Sequence, residues 1–183
     1  FFIAGIVSLA SCTINNKNKL FVKDQSNYES KIDSILAIMT IDEKIGQMTQ
    51  VDQQFLDTIQ DIADYALGSL LSGGGSNPDT NHFEAWTNMY DKYQEVALSS
   101  RLGIPLIYGV DAVHGHNNVY GATIFPHNVG LGCANDYELT RKVSEATAYE
   151  VAATGINWNF SPCIAIPEDE RWGRHYEGYS EDP

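Results

Sequence analysis

The stretch Gly103-Ile-Pro-Leu-Ile-Tyr-Gly-Val-Asp111, followed by Ala112-Val-His-Gly-His-Asn-Asn-Val-Tyr-Gly121, carries the reading of this chain. Ile104, Leu106, Ile107, Tyr108 and Val110 form an apolar run that does not alternate with polar residues, the pattern of a parallel strand buried on both faces. The run ends on a carboxylate, Asp111, and gives way to a loop rich in Gly and Asn. In barrels and open sheets of parallel strands, ligands meet the carboxyl ends of the strands. Asp111 therefore stands where binding sites are built. The C-terminal stretch Arg171-Trp-Gly-Arg174-His-Tyr-Glu177-Gly-Tyr-Ser-Glu-Asp-Pro183 reads as a second contribution to the same mouth.

Outward from this strand, the pattern alternates. Tyr28, Ile32, Ile35, Leu36 and Met39 recur at helical spacing over 26–39. Thr40-Ile-Asp-Glu43 is a capping-box pattern that starts a second helix. A short strand is expected over 47–51, a helix over 56–65, and a strand over 68–72 that runs into Gly73-Gly-Gly-Ser76. Phe83, Trp86, Met89, Tyr90, Tyr93, Val96 and Ala97 make a wide apolar face on a helix over 80–98. After strand 104–110 come a helix over 136–154, ended by Gly155 where a left-handed cap is expected, and a strand over 156–163. Strands alternating with helices predict an α/β fold with a parallel sheet. A doubly wound sheet and a (β/α)8 barrel both fit this order.

Composition narrows the function classes. With 24 acidic against 11 basic residues and a net charge of -13, the chain is a poor partner for a phosphate backbone, so nucleic acid is excluded. Phe1 to Ser11 is apolar and uncharged, shorter than the roughly 20 residues a spanning helix needs. Leu9-Ala10-Ser11-Cys12 resembles the lipobox of bacterial lipoproteins. Residues 1–12 are read as a signal peptide, Cys12 as the lipidated residue of an exported, membrane-anchored protein, and 13–25 as a polar tether. A start without Met and an end inside a polar, aromatic loop suggest a piece of a longer protein. Cys133 and Cys163 show no zinc-finger spacing and read as two small buried thiols.

Several constellations compete for the chemistry. Asp111 and Arg174, each in a loop after an apolar strand, suit either recognition of neighbouring hydroxyls or an ion pair joining two loops. Asp111, His114 and His116 have the spacing of a partial metal set, the other reading being histidines bonded to loop backbone. Gly73-Gly-Gly-Ser76 lacks the spacing of a phosphate cradle and reads as a flexible loop. The acidic residues Glu168, Asp169, Glu170, Glu177, Glu181 and Asp182 offer paired carboxylates, of which Glu177 is the one placed to hold Arg174.

Five segments taken together resemble a known family. They are Met39-Thr-Ile-Asp-Glu-Lys-Ile-Gly-Gln-Met-Thr49, Leu70-Leu-Ser-Gly-Gly-Gly75, Arg101-Leu-Gly-Ile-Pro-Leu-Ile-Tyr-Gly-Val-Asp-Ala-Val-His-Gly115, Gly121-Ala-Thr-Ile-Phe-Pro-His127 and Asp169-Glu-Arg-Trp-Gly-Arg-His-Tyr-Glu177. Their order and content resemble the N-terminal domain of family-3 glycoside hydrolases, the β-glucosidase and exo-β-glucanase group. Glu170 departs from the family pattern, which has Pro before the Arg. The resemblance implies a (β/α)8 barrel, with 26–183 as its first half, and a retaining, exo-acting hydrolysis of terminal β-linked glucose from oligosaccharides or glucosides. It implies that Asp111 and Arg174 hold sugar hydroxyls, with Glu177 and His114 supporting them. It places the nucleophile and the acid/base beyond these residues, so that the fragment alone is inactive. It calls for no cofactor and no metal. The readings that stand beside it are a non-catalytic, lipid-anchored carbohydrate-binding barrel and a metal-dependent hydrolase.

Overall fold

The computed structural model describes residues 28–182. The expected signal peptide, Cys12 and tether lie outside them. Two compact units divide at Ile38 and Met39. In the first, α1 (Tyr28–Ile38) follows the helical spacing of its apolar residues and buries none of them.

The second unit begins with α2 (Ile41–Gln47). Its capping box is complete, with Glu43 N donating to Thr40 Oγ1 at 3.2 Å and Thr40 N donating to Glu43 Oε2 at 2.8 Å. Two of the orphan N–H groups at the start of the helix are satisfied in this way. Then come β1 (Gln50–Asp52), a 3-10 turn over Gln53–Phe55, α3 (Asp61–Asp64), β2 (Ser69–Ser72) and α4 (Phe83–Leu98). They are followed by β3 (Ile107–Val110), α5 (Asn128–Ala134), α6 (Tyr137–Ala153), β4 (Trp158–Asn159) and a 3-10 turn at His175–Glu177.

The four strands are all parallel and lie in the order β1-β2-β3-β4. A doubly wound sheet reverses strand order at its switch point, whereas a barrel adds each strand beside the last. Sequential order separates the two architectures that the sequence pattern left open. The faces agree. Leu70, Tyr108 and Val110 are fully buried and pack with Ile62 of α3, Trp86 of α4 and Val151 of α6 in one cluster. Tyr93 stacks on Tyr108 at 6.0 Å, and the buried Tyr108 hydroxyl is satisfied by Ser72 Oγ at 2.7 Å. The opposite face carries Ile107 and Trp158, exposed by 50% and 43%. Phe160 lies over Gly109, where a Cβ would come within 2.3 Å of its ring. Among the described residues of this unit, α3, α4 and α6 pack on the same face of the sheet, as helices do on the outside of a barrel wall.

Several boundaries differ from the sequence reading, each for a local reason. β3 starts at Ile107 instead of 104 because Gln94 of α4 takes the backbone of Leu106 on both sides, accepting its N–H at 3.0 Å and donating to its carbonyl at 2.7 Å. β4 shrinks to two residues because asparagine side chains replace its ladder. Asn157 Oδ1 accepts from Tyr108 N at 2.8 Å, and Asn159 brackets Ala112 by accepting from its N–H and donating to its carbonyl. β1 is displaced to 50–52, and the helix expected over 56–65 is the single turn α3. α4 begins at Phe83, since His82 Nδ1 caps it by accepting from Ala85 N at 3.2 Å. α5 was not expected at all: two glycines in Asn-Val-Gly-Leu-Gly-Cys-Ala read as loop, yet it buries Asn128 and Leu131. Cys133, on this surface helix, is exposed and Cys163 is half-buried, both as free thiols, which corrects the expectation of two buried ones. Gly155 has φ +86°, as its place after α6 requires.

Candidate functional site at the strand ends

Parallel strands deliver their last residues to one rim, and here these are Asp52, Ser72, the Val110–Asp111 junction and Asn159. Asp111 follows β3 directly and is half-buried. Its backbone carbonyl accepts from Asn118 Nδ2 at 3.1 Å, and the Asn117 amide, oriented nitrogen inward, donates to the same carbonyl and to that of Gly115, each at 3.1 Å. The asparagines that looked like generic loop residues therefore tie the loop back onto the end of β3. Among the described residues, no group donates a hydrogen bond to the Asp111 carboxylate. Burial raises its pKa above the usual aspartate value, the nearby positive charge of Arg174 works against that rise, and Glu177 adds to it.

Arg174 is held by Glu177. Its Nε donates to both carboxylate oxygens at 3.0 Å and its Nη2 to Oε2. This fork lowers the pKa of Glu177 and raises that of Arg174. Of the two readings open for Asp111 and Arg174, the ion pair between them does not form; Arg174 pairs with Glu177, three residues on in the same turn. Asp111 and Arg174 share a field without a direct bond. The two carboxylates around one guanidinium are thereby driven apart: Glu177 is ionised and committed, Asp111 is ionisable and open to donors.

The missed helix α5 positions this turn. Asn128 Nδ2 donates to Glu177 O at 2.8 Å, and Gly132 lies so close to Tyr179 that a Cβ would stand 1.6 Å from its carbonyl oxygen. Aromatic contacts run alongside. His114 faces His127 at 4.1 Å, and His127 meets the edge of Tyr176 at 4.7 Å. His114 Nδ1 is bonded to Phe125 O at 3.1 Å, so the β3 loop and the Arg174 turn are connected through rings. Cys163 Sγ lies 3.6 Å from Glu177 Oε2 on the same rim.

The two histidines of the His-x-His pair engage different surroundings. His114 is on the rim, while His116 is fully buried, with Nε2 bonded to Thr154 Oγ1 at 3.1 Å and its ring edge-on to Trp86 at 5.9 Å. With Asp111 they do not form a common ligand set. Gly73-Gly-Gly-Ser76 is likewise not a free cradle. Asp52 Oδ2 accepts from Gly73 N at 3.2 Å, Asp52 Oδ1 accepts from Ser76 Oγ at 2.5 Å, and Gln53 Nε2 donates to Ser76 Oγ at 2.9 Å. A carboxylate at the end of β1 already occupies the donors a phosphate needs. The expected strand over 47–51 stops short of Asp52; the structure makes Asp52 the last residue of β1, level with Gly109 and two residues before Asp111 in the register of the sheet.

With this geometry in place, comparison with known proteins is direct. Residues 40–183 match the family model described as the glycosyl hydrolase family 3 N terminal domain. The lysosomal beta glucosidase of Dictyostelium discoideum is 34% identical over 93% of this chain and 22% of its own length. The periplasmic beta-glucosidase of Salmonella typhimurium is 33% identical over 82% of this chain and 18% of its own. Among solved structures, the exo-1,3/1,4-beta-glucanase of a Pseudoalteromonas species superposes with a TM-score of 0.77 at 46% identity, covering 85% of this chain and 20% of that one. A beta-glucosidase from Listeria innocua in complex with glucose gives 0.63 at 31% identity, over 85% of this chain and 22% of that one. The chain thus spans about a fifth of the length of these relatives. A match over most of the described unit, carried by the same strands and loops that build the rim, establishes that the chain belongs to glycosyl hydrolase family 3 and contains sequence of its N-terminal, (β/α)8-type domain.

Proposed function

We propose that this chain is the sugar-reading part of a retaining, exo-acting β-glycosidase that removes terminal β-linked glucose from oligosaccharides or glucosides. One observation carries the reading: Asp111 is a half-buried carboxylate at a strand end, without a donor among the described residues, beside a guanidinium fixed by another carboxylate. A neutral polyol supplies the missing donors. Its hydroxyls donate to Asp111 and accept from the outward N–H groups of Arg174. Glu177 keeps the guanidinium plane in place, and His114 supports the loop through Phe125 O. The relatives named as beta-glucosidases and as an exo-1,3/1,4-beta-glucanase support this substrate class.

Retaining hydrolysis needs a nucleophilic carboxylate and an acid/base about 5 Å apart, one on each side of the glycosidic bond. In this proposal both come from later parts of the full-length protein, while Asp111 and Arg174 fix the terminal sugar. Residues 1–12 serve as a lipoprotein signal, Cys12 as the lipid attachment point and 13–25 as a tether to a periplasmic or surface location. A relative named as periplasmic supports export.

The test is turnover of an aryl β-glucoside by the full-length protein and by residues 13–183. Hydrolysis by the former and none by the latter is expected; sustained turnover by residues 13–183 overturns the division of labour. Sugar binding by the full-length protein without any turnover returns it to a carbohydrate-binding barrel. Glu177→Gln weakens the fork that holds Arg174. It is expected to raise KM about fivefold with a smaller change in kcat, since a charge-assisted pair becomes a neutral bond. An unchanged KM returns Glu177 to a purely local role.

A further inference from the structure

Five residues after Asp111, its loop sends a histidine into the protein. We infer that His116 is a positioning residue, a neutral imidazole with its proton on Nε2 that pins the Asp111 loop between α4 and the end of α6. The inference rests on reading Asp111 as the sugar-holding residue, and it assigns a role to a group that the proposed chemistry leaves unused.

Hydrogen-bond bookkeeping decides the tautomer. The Thr154 hydroxyl has one proton, and it donates to Val151 O at 2.7 Å, closing the C-terminal turn of α6. Thr154 Oγ1 is then an acceptor toward His116, so Nε2, 3.1 Å away, carries the hydrogen. Nδ1 is left as a bare lone pair, buried and without a partner among the described residues. An acceptor left unsatisfied is tolerable there; an imidazolium would add a buried N–H with nothing to receive it. Burial accordingly pushes the pKa of His116 down to about 4, against the pull of Glu150 on α6, the charged group that acts on it. Glu150 is itself occupied by Thr123 N and Oγ1, at the far end of the same loop.

The ring sits where the loop is stitched to its supports. Trp86 of α4, edge-on to His116, donates Nε1–H to Asn81 Oδ1 at 2.8 Å. Asn81 Nδ2 donates to Asn118 O at 2.8 Å, and Asn118 Nδ2 reaches the carbonyl of Asp111. Val119 N closes onto His116 O at 3.0 Å. Displacing the imidazole frees the middle of the segment that carries Asp111 and His114.

The experiment uses the full-length protein. Nitrogen-15 histidine NMR at neutral pH is expected to show a buried histidine protonated on Nε2; protonation on Nδ1 overturns the assignment. His116→Phe keeps the ring and loses the donor. It is expected to raise the inhibition constant for glucose about tenfold, by misplacing Asp111, and to speed amide exchange over 112–120. His116→Gln, which restores an N–H toward Thr154, is expected to recover most of both. Wild-type glucose affinity and wild-type exchange in His116→Phe overturn the proposal. If that variant does not fold, the tautomer in the wild-type protein still decides. Faster exchange over 112–120 in His116→Phe, combined with unchanged glucose affinity in Asp111→Asn, upholds the anchoring and overturns the sugar reading instead.

Discussion

Asp111→Asn in the full-length protein is expected to lower kcat/KM for an aryl β-glucoside by roughly tenfold to a hundredfold, the loss that follows when hydrogen bonds to a charged acceptor become neutral ones. Its melting temperature is expected to stay the same or rise. The second half of this expectation separates function from packing. The pKa of Asp111 is raised in the folded protein, chiefly by burial. A carboxyl group with a raised folded pKa favours the folded state only while protonated, below its unfolded pKa, and that contribution is lost as pH rises through the folded value. At neutral pH the ionised Asp111 therefore opposes folding, and Asn removes the penalty. A group kept in spite of its cost to stability is one whose charge is used. The same shift places the acid limb of sugar binding above the usual aspartate range, because binding follows the ionised form. Kinetic constants equal to wild type, or a fall in melting temperature with no change in KM, would falsify the substrate role of Asp111.

Gly132→Ala is expected to be strongly damaging for so small a substitution, costing about 3 kcal/mol and weakening sugar binding with it. The Cβ would stand 1.6 Å from Tyr179 O, and what it meets is backbone that cannot rotate away. α5 must separate from the 178–180 segment, and in doing so Asn128 withdraws from Glu177 O. Arg174 then loses its fixed position, although no residue of the rim has been changed. Thermal unfolding of the full-length variant, with glucose inhibition measured below its melting point, reads both effects. A variant as stable as wild type would show that α5 and the Arg174 turn are not packed as described.

Much of this was legible in the sequence. The unbroken apolar run before Asp111 marked a buried parallel strand, Thr40 and Glu43 announced the start of α2, and Gly155 marked the end of α6. Five ordered segments were enough to indicate the family and so the barrel. These signals are local: a cap, a periodicity or a left-handed glycine is decided within a few residues, and a family motif is a string. What the residues alone could not order was which groups meet. Asp111 and Arg174 suited either an ion pair or a shared set of hydroxyls; Glu177, on the 3-10 turn, takes the guanidinium and leaves Asp111 without a direct bond to it. His114 and His116 looked equivalent at a spacing of two, yet one lies on the rim and the other behind Trp86. Asp52 looked like a loop residue until the parallel register put it at the end of β1, and α5 was hidden by two glycines, of which Gly132 lacks a side chain where Tyr179 approaches.

The sequence by itself thus determined the class of fold, the strand that ends in Asp111 and the family to which the chain belongs, because these depend on side-chain patterns along the chain. The tertiary structure alone decided that Asp111 and Arg174 form no direct bond, that the carboxylate of Asp111 is left open, and that His116 is buried in the loop that follows it. Those outcomes depend on distances between groups that no spacing along the chain fixes, and on the desolvation that only packing imposes.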